Sequence, residues 1–267
     1  MGTRGVDLSR IASAQSFYLK RGPIGCLLIH GITATPFTVR AMGEWLAARG
    51  VSVHAPVLAG HSRTWEHLEK TRWQDWYASV EEGYKFLRKR CTKVFAAGLS
   101  MGGAQALHLA AHHPELNGVI AMSPAVYTED WRLRFLPLLR LVQRTVPAIG
   151  GAINDEKALK EICYNRLPLR SVAELIKFQA HLREELHLVR CPALVIQGRR
   201  DPIVPSGNAR FVYDRISSRP KQLVYLPKSS HVITMDVERL RLFRLSIKLL
   251  QSRAANMTGG WTVKANV

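Results

Sequence analysis

Short apolar runs alternate along the chain with longer stretches in which apolar residues recur at helical spacing. The short runs predict strands, and their nearly continuous apolar character is typical of strands buried on both faces. Alternating strands and helices predict an α/β fold: a mostly parallel central sheet with helices on both faces. Strands are predicted at residues 24–29, 51–56, 93–97, 119–122, 193–197 and 223–226, and helices at 36–49, 73–90, 101–112 and 238–251.

One long stretch breaks this alternation. Residues 124–188 follow a helical pattern and contain no strand candidate. A helical insertion between two sheet strands predicts a cap over one end of the sheet. The expected organisation is therefore a core of residues 1–123 and 189–253, a helical cap of residues 124–188, and a flexible tail of residues 254–267.

The charge is the unusual feature of the composition. Among 267 residues, 47% are hydrophobic and 22% are charged, as in an ordinary globular protein. The chain has 38 Lys and Arg but only 20 Asp and Glu, which gives a net charge of +18. Such a balance favours an anionic partner, although a basic surface that only maintains solubility is the simpler interpretation. No nucleic-acid-binding motif is recognisable, so we expect no nucleic-acid partner.

The cysteines and the first residues bear on location. None of the four cysteines stands in a C-x-x-C pair, which favours buried free thiols in a reducing compartment. The first residues lack the apolar stretch of a signal peptide. The sequence also contains no run of eighteen apolar residues, which a membrane span would need. The sequence thus predicts a cytoplasmic protein, with peripheral membrane contact as a hypothesis.

Residues 98–102, GLSMG, fit the pattern G-x-S-x-G. A predicted strand precedes this pentapeptide and a predicted helix follows it, which is the context of a nucleophile elbow. In such a turn the small flanking residues let the backbone cross itself, and the hydroxyl of Ser100 stands clear at the end of the sheet. A glycine-rich turn with an idle serine is the alternative, and the pentapeptide alone leaves it open.

The order of two later residues favours the catalytic interpretation. Asp201 follows one predicted strand in GRRDPIVP, and His231 follows the next in PKSSHVITMD. In the α/β-hydrolase arrangement the acid comes after the serine and the histidine comes last. His231 would take the proton of Ser100 and return it to the leaving alcohol, while Asp201 would hold the imidazole tautomer.

Other titratable residues are weaker candidates. Asp214 lies in a helical pattern and Asp236 follows His231, while two more aspartates lie in the cap. His108 and His112 are four apart on one helix, a spacing seen at metal sites, but no third ligand is evident from the sequence. We therefore predict a packed or solvated pair of histidines, and no metal or cofactor.

The segment HGIT, residues 30–33, follows the first strong strand. The corresponding loop of such hydrolases supplies one donor of an oxyanion hole, for which the backbone N–H of Ile32 is the candidate. The N–H of Met101 would be the second donor. His30 is expected to brace this loop rather than to take part in catalysis.

The chain resembles the bacterial monoacylglycerol lipases and the related small bacterial carboxylesterases. The resemblance extends from about residue 24 to residue 250 and is weakest in the cap. The pattern G-x-S-x-G is common to many hydrolases, whereas W-x-D-W-x-x-S-V-E-E-G-Y and P-x-G-N-A are much narrower. The matching segments are LLIHGITATPFTVRAMGEWLAARG, HAPVLAGH, TRWQDWYASVEEGYKFLRKRCTKVFAAGLSMGG, CPALVIQGRRDPIVPSGNARFVYDRISS and SHVITMD.

The resemblance implies roles for individual residues. It implies a triad and an oxyanion hole at the positions already named, and a small helical cap over an apolar acyl tunnel. It also implies that Glu161, in LKEICYNRLP, meets the head group of the substrate. Ile32 stands where members of the family usually carry an aromatic residue, which would reshape the mouth of the tunnel.

The function implied is hydrolysis of monoacylglycerols to fatty acid and glycerol through an acyl-enzyme, with a small lipid ester as the substrate. A general short-to-medium-chain carboxylesterase is the alternative, because both enzymes use the same triad. A non-catalytic protein on this scaffold would typically lack a triad residue, and a dehalogenase would need a carboxylate in place of Ser100.

The start of the cap suggests a surface function. Residues 131–147 interleave leucines and aromatic residues with arginines, a mixture that suits a segment lying on an anionic membrane surface. In the alternative interpretation, the leucines line the tunnel and the arginines are merely solvated.

Overall fold

The computed structural model describes residues 7–147 and 163–254. Within them, a seven-stranded sheet has the strand order β1-β3-β2-β4-β5-β8-β9. Strand β1 is antiparallel to β3, and all the other neighbouring strands are parallel. The strands of this sheet are β1 (Phe17–Leu19), β2 (Ile24–Ile29), β3 (Ser52–Ala55), β4 (Lys93–Leu99), β5 (Val119–Met122), β8 (Ala193–Gly198) and β9 (Lys221–Leu226).

The predicted α/β fold with a mostly parallel central sheet and helices on both faces is confirmed, and its six predicted strands are all present. The sequence analysis did not predict β1. This edge strand has only three residues, Phe17–Leu19, too few for a period of two to stand out from the surrounding sequence. It is defined by tertiary pairing, in which Phe17 lies opposite Ala55.

Helices cover both faces of the sheet. They are α1 (Phe37–Ala47), α2 (Trp65–Glu69), α3 (Trp73–Arg88), α4 (Met101–His112), α5 (Leu136–Val142), α6 (Leu169–Glu185), α7 (Gly207–Arg215) and α8 (Arg239–Ala254), with 3₁₀ turns at Leu8–Arg10, Ala12–Ala14, Trp131–Phe135 and Leu186–Leu188. Helices α1 and α8 pack on one face, while α3, α4, α6 and α7 pack on the other.

The central strand β4 shows why its sequence is apolar throughout. Val94 and Ala96 point to the face covered by α3 and α4, whereas Phe95 and Ala97 point to the face covered by α1 and α8. All four side chains are fully buried. Because β4 has no solvent-facing side here, polar residues do not alternate with the apolar ones.

The inserted segment between β5 and β8 is not purely helical, so the expectation that it contains no strand is wrong. Strands β6 (Thr145–Pro147) and β7 (Arg166–Pro168) form an antiparallel pair. Each strand has only three residues, one of which is a proline, and the two strands are far apart in sequence. No local pattern therefore predicts them. Helix α6 then leads back to the sheet. None of the helices in the described residues is long and apolar enough to span a bilayer.

Candidate active site

Ser100 stands in a strained turn between β4 and α4. Its backbone has φ 60° and ψ −121°, a conformation that L-residues seldom adopt. The turn is possible only because its neighbours lack side chains: a Cβ on Gly98 would lie 1.9 Å from the carbonyl oxygen of Gly102, and a Cβ on Gly102 would lie 2.2 Å from that of Ile29. The glycines of the predicted elbow are therefore steric requirements of the crossing backbone.

The loop after β2 lies directly beside this serine. A Cβ on Gly31 would be 3.3 Å from the Cβ of Ser100 and 3.8 Å from its Oγ. Among the contacts of the described residues, neither the backbone N–H of Ile32 nor that of Met101 has a hydrogen-bond acceptor. Ile32 directly follows Gly31, which lies beside Ser100, and Met101 directly follows Ser100. Both candidate oxyanion donors are therefore without an acceptor, as an oxyanion hole requires.

His30 holds the same loop in place. Its Nδ1 donates to the carbonyl oxygen of Gly31 at 2.9 Å, and its Nε2 accepts the backbone N–H of Leu58 at 3.2 Å. Burial, reinforced by the nearby ring of His61, lowers the pKa of His30 to about 3. The ring is therefore neutral at physiological pH and links two loops through hydrogen bonds.

Asp201 and His231 form a buried pair at the same edge of the sheet. Asp201 follows β8 and His231 follows β9, and the carboxyl ends of parallel strands meet at one edge. The Nδ1 of His231 lies 2.7 Å from Oδ2 of Asp201, and these side chains are 7% and 0% exposed. The structure thus brings the predicted acid and base together at the edge that also bears Ser100.

Backbone and side-chain donors surround the Asp201 carboxylate. Oδ1 accepts the N–H groups of Ile203 and Val204, and Oδ2 also accepts Nε2 of Gln197 at 2.7 Å. Burial raises the pKa of Asp201, but the hydrogen bonds and charge of His231, with those two N–H groups, outweigh burial and hold the pKa below its usual value. The carboxylate is therefore ionised at neutral pH, as an acid that orients an imidazole must be.

The sequence analysis did not identify Gln197 as part of this site. It is the polar residue near the end of the buried strand β8, and its side chain is completely enclosed. A buried polar side chain generally has a hydrogen-bonding partner, and here that partner is the carboxylate of Asp201. The sequence feature that could have identified Gln197 is a glutamine in an otherwise apolar strand.

Two hydrogen bonds and one glycine determine the path of the loop that carries His231. The hydroxyl of Ser123 donates to the backbone carbonyl of His231 at 3.0 Å. The carboxylate of Asp236 accepts the backbone N–H of Ser230 at 2.6 Å. Gly198 leaves room for the loop, since a Cβ there would lie 2.1 Å from the carbonyl oxygen of Ser230. The position of His231 thus depends on residues at the ends of β5 and β8.

The remaining acidic candidates lie elsewhere. Asp214 forms an exposed pair with Arg210 one turn away on α7, and Asp130 caps a 3₁₀ turn and binds Arg132. Asp155 and Glu161 lie outside the described residues. Within the described part of the chain, Asp201 is the carboxylate in direct contact with His231.

Tertiary structure supplies the third group that the sequence did not reveal beside His108 and His112. Glu185, at the end of α6, lies 2.6 Å from Nδ1 of His108 and 3.1 Å from Nε2 of His112. Nε2 of His181 lies 3.0 Å from the same glutamate. The sequence did not reveal this third candidate ligand, because Glu185 is 77 residues from His108 and 73 from His112 along the chain.

An open cavity of about 350 Å³ lies between the first 3₁₀ turn of the insertion and α6. Its lining is partly polar, and Ser100, Asp201 and His231 are not part of it. This cavity is accordingly distinct from the catalytic candidates. It is lined by Tyr127, Thr128, Leu133, Arg134, Ile176, Gln179 and Arg183.

Comparison with known proteins agrees with this geometry. The profile of the family described as "Serine aminopeptidase, S33" matches residues 25–238. A thermostable monoacylglycerol lipase of Bacillus sp. (strain H-257) is 35% identical over 251 residues, which are 91% of this chain and 97% of that protein. A carboxylesterase of Bacillus subtilis (strain 168) is 29% identical over 232 residues, 86% of this chain and 93% of that protein.

A solved structure of a related enzyme has the same fold. A structure from work on LipS and LipT, two metagenome-derived lipolytic enzymes, superposes with a TM-score of 0.86 at 32% identity, covering 90% of this chain and 98% of that one. A matched profile over most of the chain, together with a relative of this identity and coverage, establishes descent. The chain belongs to the serine hydrolase family described as "Serine aminopeptidase, S33", within the α/β-hydrolases and alongside bacterial monoacylglycerol lipases and carboxylesterases.

Proposed function

We propose that the chain hydrolyses carboxylic esters, with Ser100 as nucleophile, His231 as general base and acid, and Asp201 as the group that orients the imidazole. The observation that carries this proposal is the buried hydrogen bond of 2.7 Å between His231 and Asp201, at the sheet edge that bears Ser100 in its strained turn. The substrate class is consistent with the names of the two curated relatives.

In the first half of the reaction, Oγ of Ser100 attacks the ester carbonyl carbon while its proton passes to Nε2 of His231. The carbonyl oxygen becomes an oxyanion and accepts the backbone N–H groups of Ile32 and Met101. When the intermediate collapses, the carbon–oxygen bond to the alcohol breaks. His231 gives its proton to the departing oxygen, and the acyl group remains on Ser100.

In the second half, water attacks the acyl carbon and gives a proton to His231. The same two N–H groups hold the second oxyanion, and collapse releases the carboxylic acid and restores the proton to Ser100. Asp201 stays ionised throughout and stabilises the imidazolium that forms in each half. Because both oxyanion donors are backbone groups, side-chain substitutions at Ile32 and Met101 do not remove them.

Monoacylglycerol is the substrate we favour, with the general short-to-medium-chain carboxylesterase as the alternative. The division into core, cap and tail is part of this proposal, with residues 124–188 as the cap. A cap over an apolar tunnel would admit one acyl chain and a small head group, and would exclude di- and triacylglycerols. The relative with 35% identity, named a monoacylglycerol lipase, favours this substrate.

Glu161 is our candidate for contact with the glycerol head. An ionised carboxylate offers only acceptors, and a glyceryl head offers two hydroxyl donors. Tyr164, three residues further along the chain, donates its backbone N–H to the carbonyl of Thr33 at 3.0 Å and so contacts the loop that carries Ile32. An exposed glutamate that only pairs with Lys157 or Lys160 is the competing interpretation.

The test compares two esters of the same fatty acid, the monoacylglycerol and the methyl ester. Glu161→Gln and Glu161→Ala should lower kcat/KM on the monoacylglycerol by about ten- to a hundredfold, which corresponds to the free energy of one hydrogen bond to a charged group. Both variants should leave kcat/KM on the methyl ester unchanged. Glu174→Gln, on α6 where the carboxylate pairs with Lys177, is the matched control. Equal losses on both esters, or no loss, would make Glu161 structural and favour the carboxylesterase alternative.

We also propose that the start of the insertion contacts anionic membrane surfaces. Most of its large apolar side chains are exposed rather than packed, which favours a surface role over lining a tunnel. Arg134 and Arg140 enter no ion pair within the described part of the chain, and Arg134 lies beside the rings of Trp131 and Phe135. The exposed fractions are Trp131 65%, Phe135 45%, Leu138 66%, Leu139 39%, Leu141 78% and Val142 86%.

Vesicle co-sedimentation tests this contact. The protein should bind anionic vesicles more strongly than neutral ones, and binding should fall as salt is raised. Leu141→Glu should reduce binding to both kinds of vesicle, whereas Arg140→Gln should reduce the preference for anionic ones. Equal binding to both, or none to either, would contradict the electrostatic part of the proposal.

A further inference from the structure

A cluster of metal-ligating side chains lies far from Ser100, where the last turns of α4 and α6 pack together. His108 and His112 are one turn apart on α4, and His181 and Glu185 are one turn apart on α6. Residues spaced by four share one face of a helix, so each helix directs two ligands to the shared boundary. We call these four residues the His–Glu cluster.

The glutamate stands at the centre of this cluster. Its Oε2 lies 2.6 Å from Nδ1 of His108, and its Oε1 lies 3.1 Å from Nε2 of His112 and 3.0 Å from Nε2 of His181. The ligand atoms of His108, His112 and Glu185 all lie within 4.8 Å of one another. In a tetrahedral zinc site with bonds of about 2.0–2.1 Å, donor atoms are about 3.3 Å apart, so small side-chain rotations would suffice.

Aromatic side chains hold the histidine rings in position. The ring centroid of Tyr77 lies 4.4 Å from that of His108, and the ring of Trp73 lies 5.8 Å from His108 and 5.2 Å from His181. The fully buried Phe178 packs against both Trp73 and His108. Such a wall restricts the rotamers of the ligands, as in a site whose geometry is set before the ion arrives.

The cluster is also open to solvent on one side. The side chain of His108 is 5% exposed and that of Glu185 14%, whereas those of His112 and His181 are 46% and 44% exposed. An ion could therefore reach the two outer histidines first and then meet the inner pair. Imidazole nitrogens with one carboxylate oxygen form a donor set that suits zinc and its neighbours among the divalent metals.

We propose that the His–Glu cluster binds a divalent transition-metal ion, zinc by preference, and that the ion fastens α6 to α4. Helix α4 begins directly after Ser100, and α6 is the helix by which the insertion returns to the sheet. His108 is eight residues from Ser100, a rise of about 12 Å along the helix, so the ion has no part in ester cleavage. Its effect is on stability, because it binds the folded protein and not the unfolded chain.

The experiment uses the full-length protein without a polyhistidine tag, first treated with a chelator and then dialysed. Calorimetric titration with Zn²⁺ should give one bound ion per chain, and Co²⁺ should give the visible absorption of a tetrahedral site with nitrogen and oxygen ligands. Saturating Zn²⁺ should raise the Tm by several degrees, and chelation should reverse the rise. The Ser100→Ala variant should bind Zn²⁺ equally, which separates this proposal from the proposed catalysis.

Single substitutions then assign the ligands. His112→Ala and His181→Ala remove exposed side chains and should each weaken Zn²⁺ binding at least about tenfold, with loss of the Tm rise. His187→Ala, an exposed histidine just beyond α6, is the matched control and should change neither quantity. Absence of stoichiometric binding, or binding that His112→Ala and His181→Ala leave intact, would overturn the proposal and leave a hydrogen-bonded cluster.

Discussion

Two histidine–carboxylate pairs in this molecule are nearly identical when viewed alone. In one, Nδ1 of His231 lies 2.7 Å from Asp201, and in the other, Nδ1 of His108 lies 2.6 Å from Glu185. Both histidine side chains are almost fully buried. Neither the length of the hydrogen bond nor burial therefore distinguishes a catalytic pair from one with another purpose.

What surrounds the two pairs differs. Next to the first, the sheet edge carries Ser100 in its strained turn and two backbone N–H groups without acceptors among the described residues. Around the second lie further histidines and aromatic rings, and no hydroxyl takes part in the pair's hydrogen bonds within the described residues. The comparison teaches that a nucleophile and free oxyanion donors, rather than the pair itself, make an ester-cleaving site.

The largest expected effect is at the nucleophile. Ser100→Ala removes the hydroxyl that we propose forms the acyl-enzyme, and loss of the nucleophile of a serine protease costs about 10⁶-fold in kcat. We expect a loss of that order in ester hydrolysis, with an unchanged Tm, because the substitution removes only one oxygen. Steady-state assays with circular dichroism as the folding control measure both, and a variant retaining most of its turnover would refute the assignment.

The second effect compares the two acids directly. Asp201→Asn should lower kcat by about 10⁴-fold, since the amide favours the wrong tautomer of the histidine, as in the template triad. Glu185→Gln makes the same chemical change in the other pair and should alter kcat less than about threefold. Assays of both variants on one ester distinguish the sites. A larger loss at Glu185 than at Asp201 would reverse their roles.

The comparison also shows what the sequence could predict. The elbow could be predicted because sterics force glycine at Gly98 and Gly102, which leaves a local signature. Asp201 and His231 could be predicted because each follows a strand, and strand ends converge at one edge of a parallel sheet. Positions of this kind are fixed by local pattern together with the topology of the fold.

The rest depended on tertiary packing. Glu185 lies 77 residues from His108 along the chain and meets it only because α6 packs on α4. The hairpin β6–β7 is likewise formed by segments with weak patterns of their own. The prediction for Glu161 is not tested by the structure, because this residue lies outside the described ranges.

A histidine without a carboxylate partner sharpens the comparison. His61 is buried, its Nδ1 donates to the carbonyl of Ala59 at 3.0 Å, and its Nε2 has no partner in the described part of the chain. Burial lowers its pKa to about 4, an effect that the carbonyls of Ala59 and Leu58 offset only in part. Between that value and about 6.5, the unfolded chain binds a proton that the folded protein does not.

Stability should therefore fall as pH decreases through this window. One such histidine contributes a slope that approaches about 1.4 kcal/mol per pH unit, or about 1.6 kcal/mol in total between pH 6.5 and 5. His61→Asn keeps a donor for Ala59 but cannot titrate, so urea unfolding over this range should show a slope reduced by that amount. His187→Asn, at an exposed position, is the control, and an equal slope in His61→Asn and the parent would contradict the assignment.

The smallest expected effect concerns a carboxylate that acts on His231 through the backbone. Asp236 is 3% exposed and accepts the N–H groups of Ser230 and Val237, and so shapes the loop that carries the imidazole. Asp236→Asn turns one acceptor into a donor and should lower kcat/KM by no more than about tenfold, or about 1.4 kcal/mol, with a reduced Tm. Asp214→Asn, at the surface pair with Arg210, should change neither quantity measurably. If Asp236→Asn instead matched the loss of Asp201→Asn at an unchanged Tm, Asp236 would belong to the catalytic machinery, and direct contact with the imidazole would no longer identify the acid.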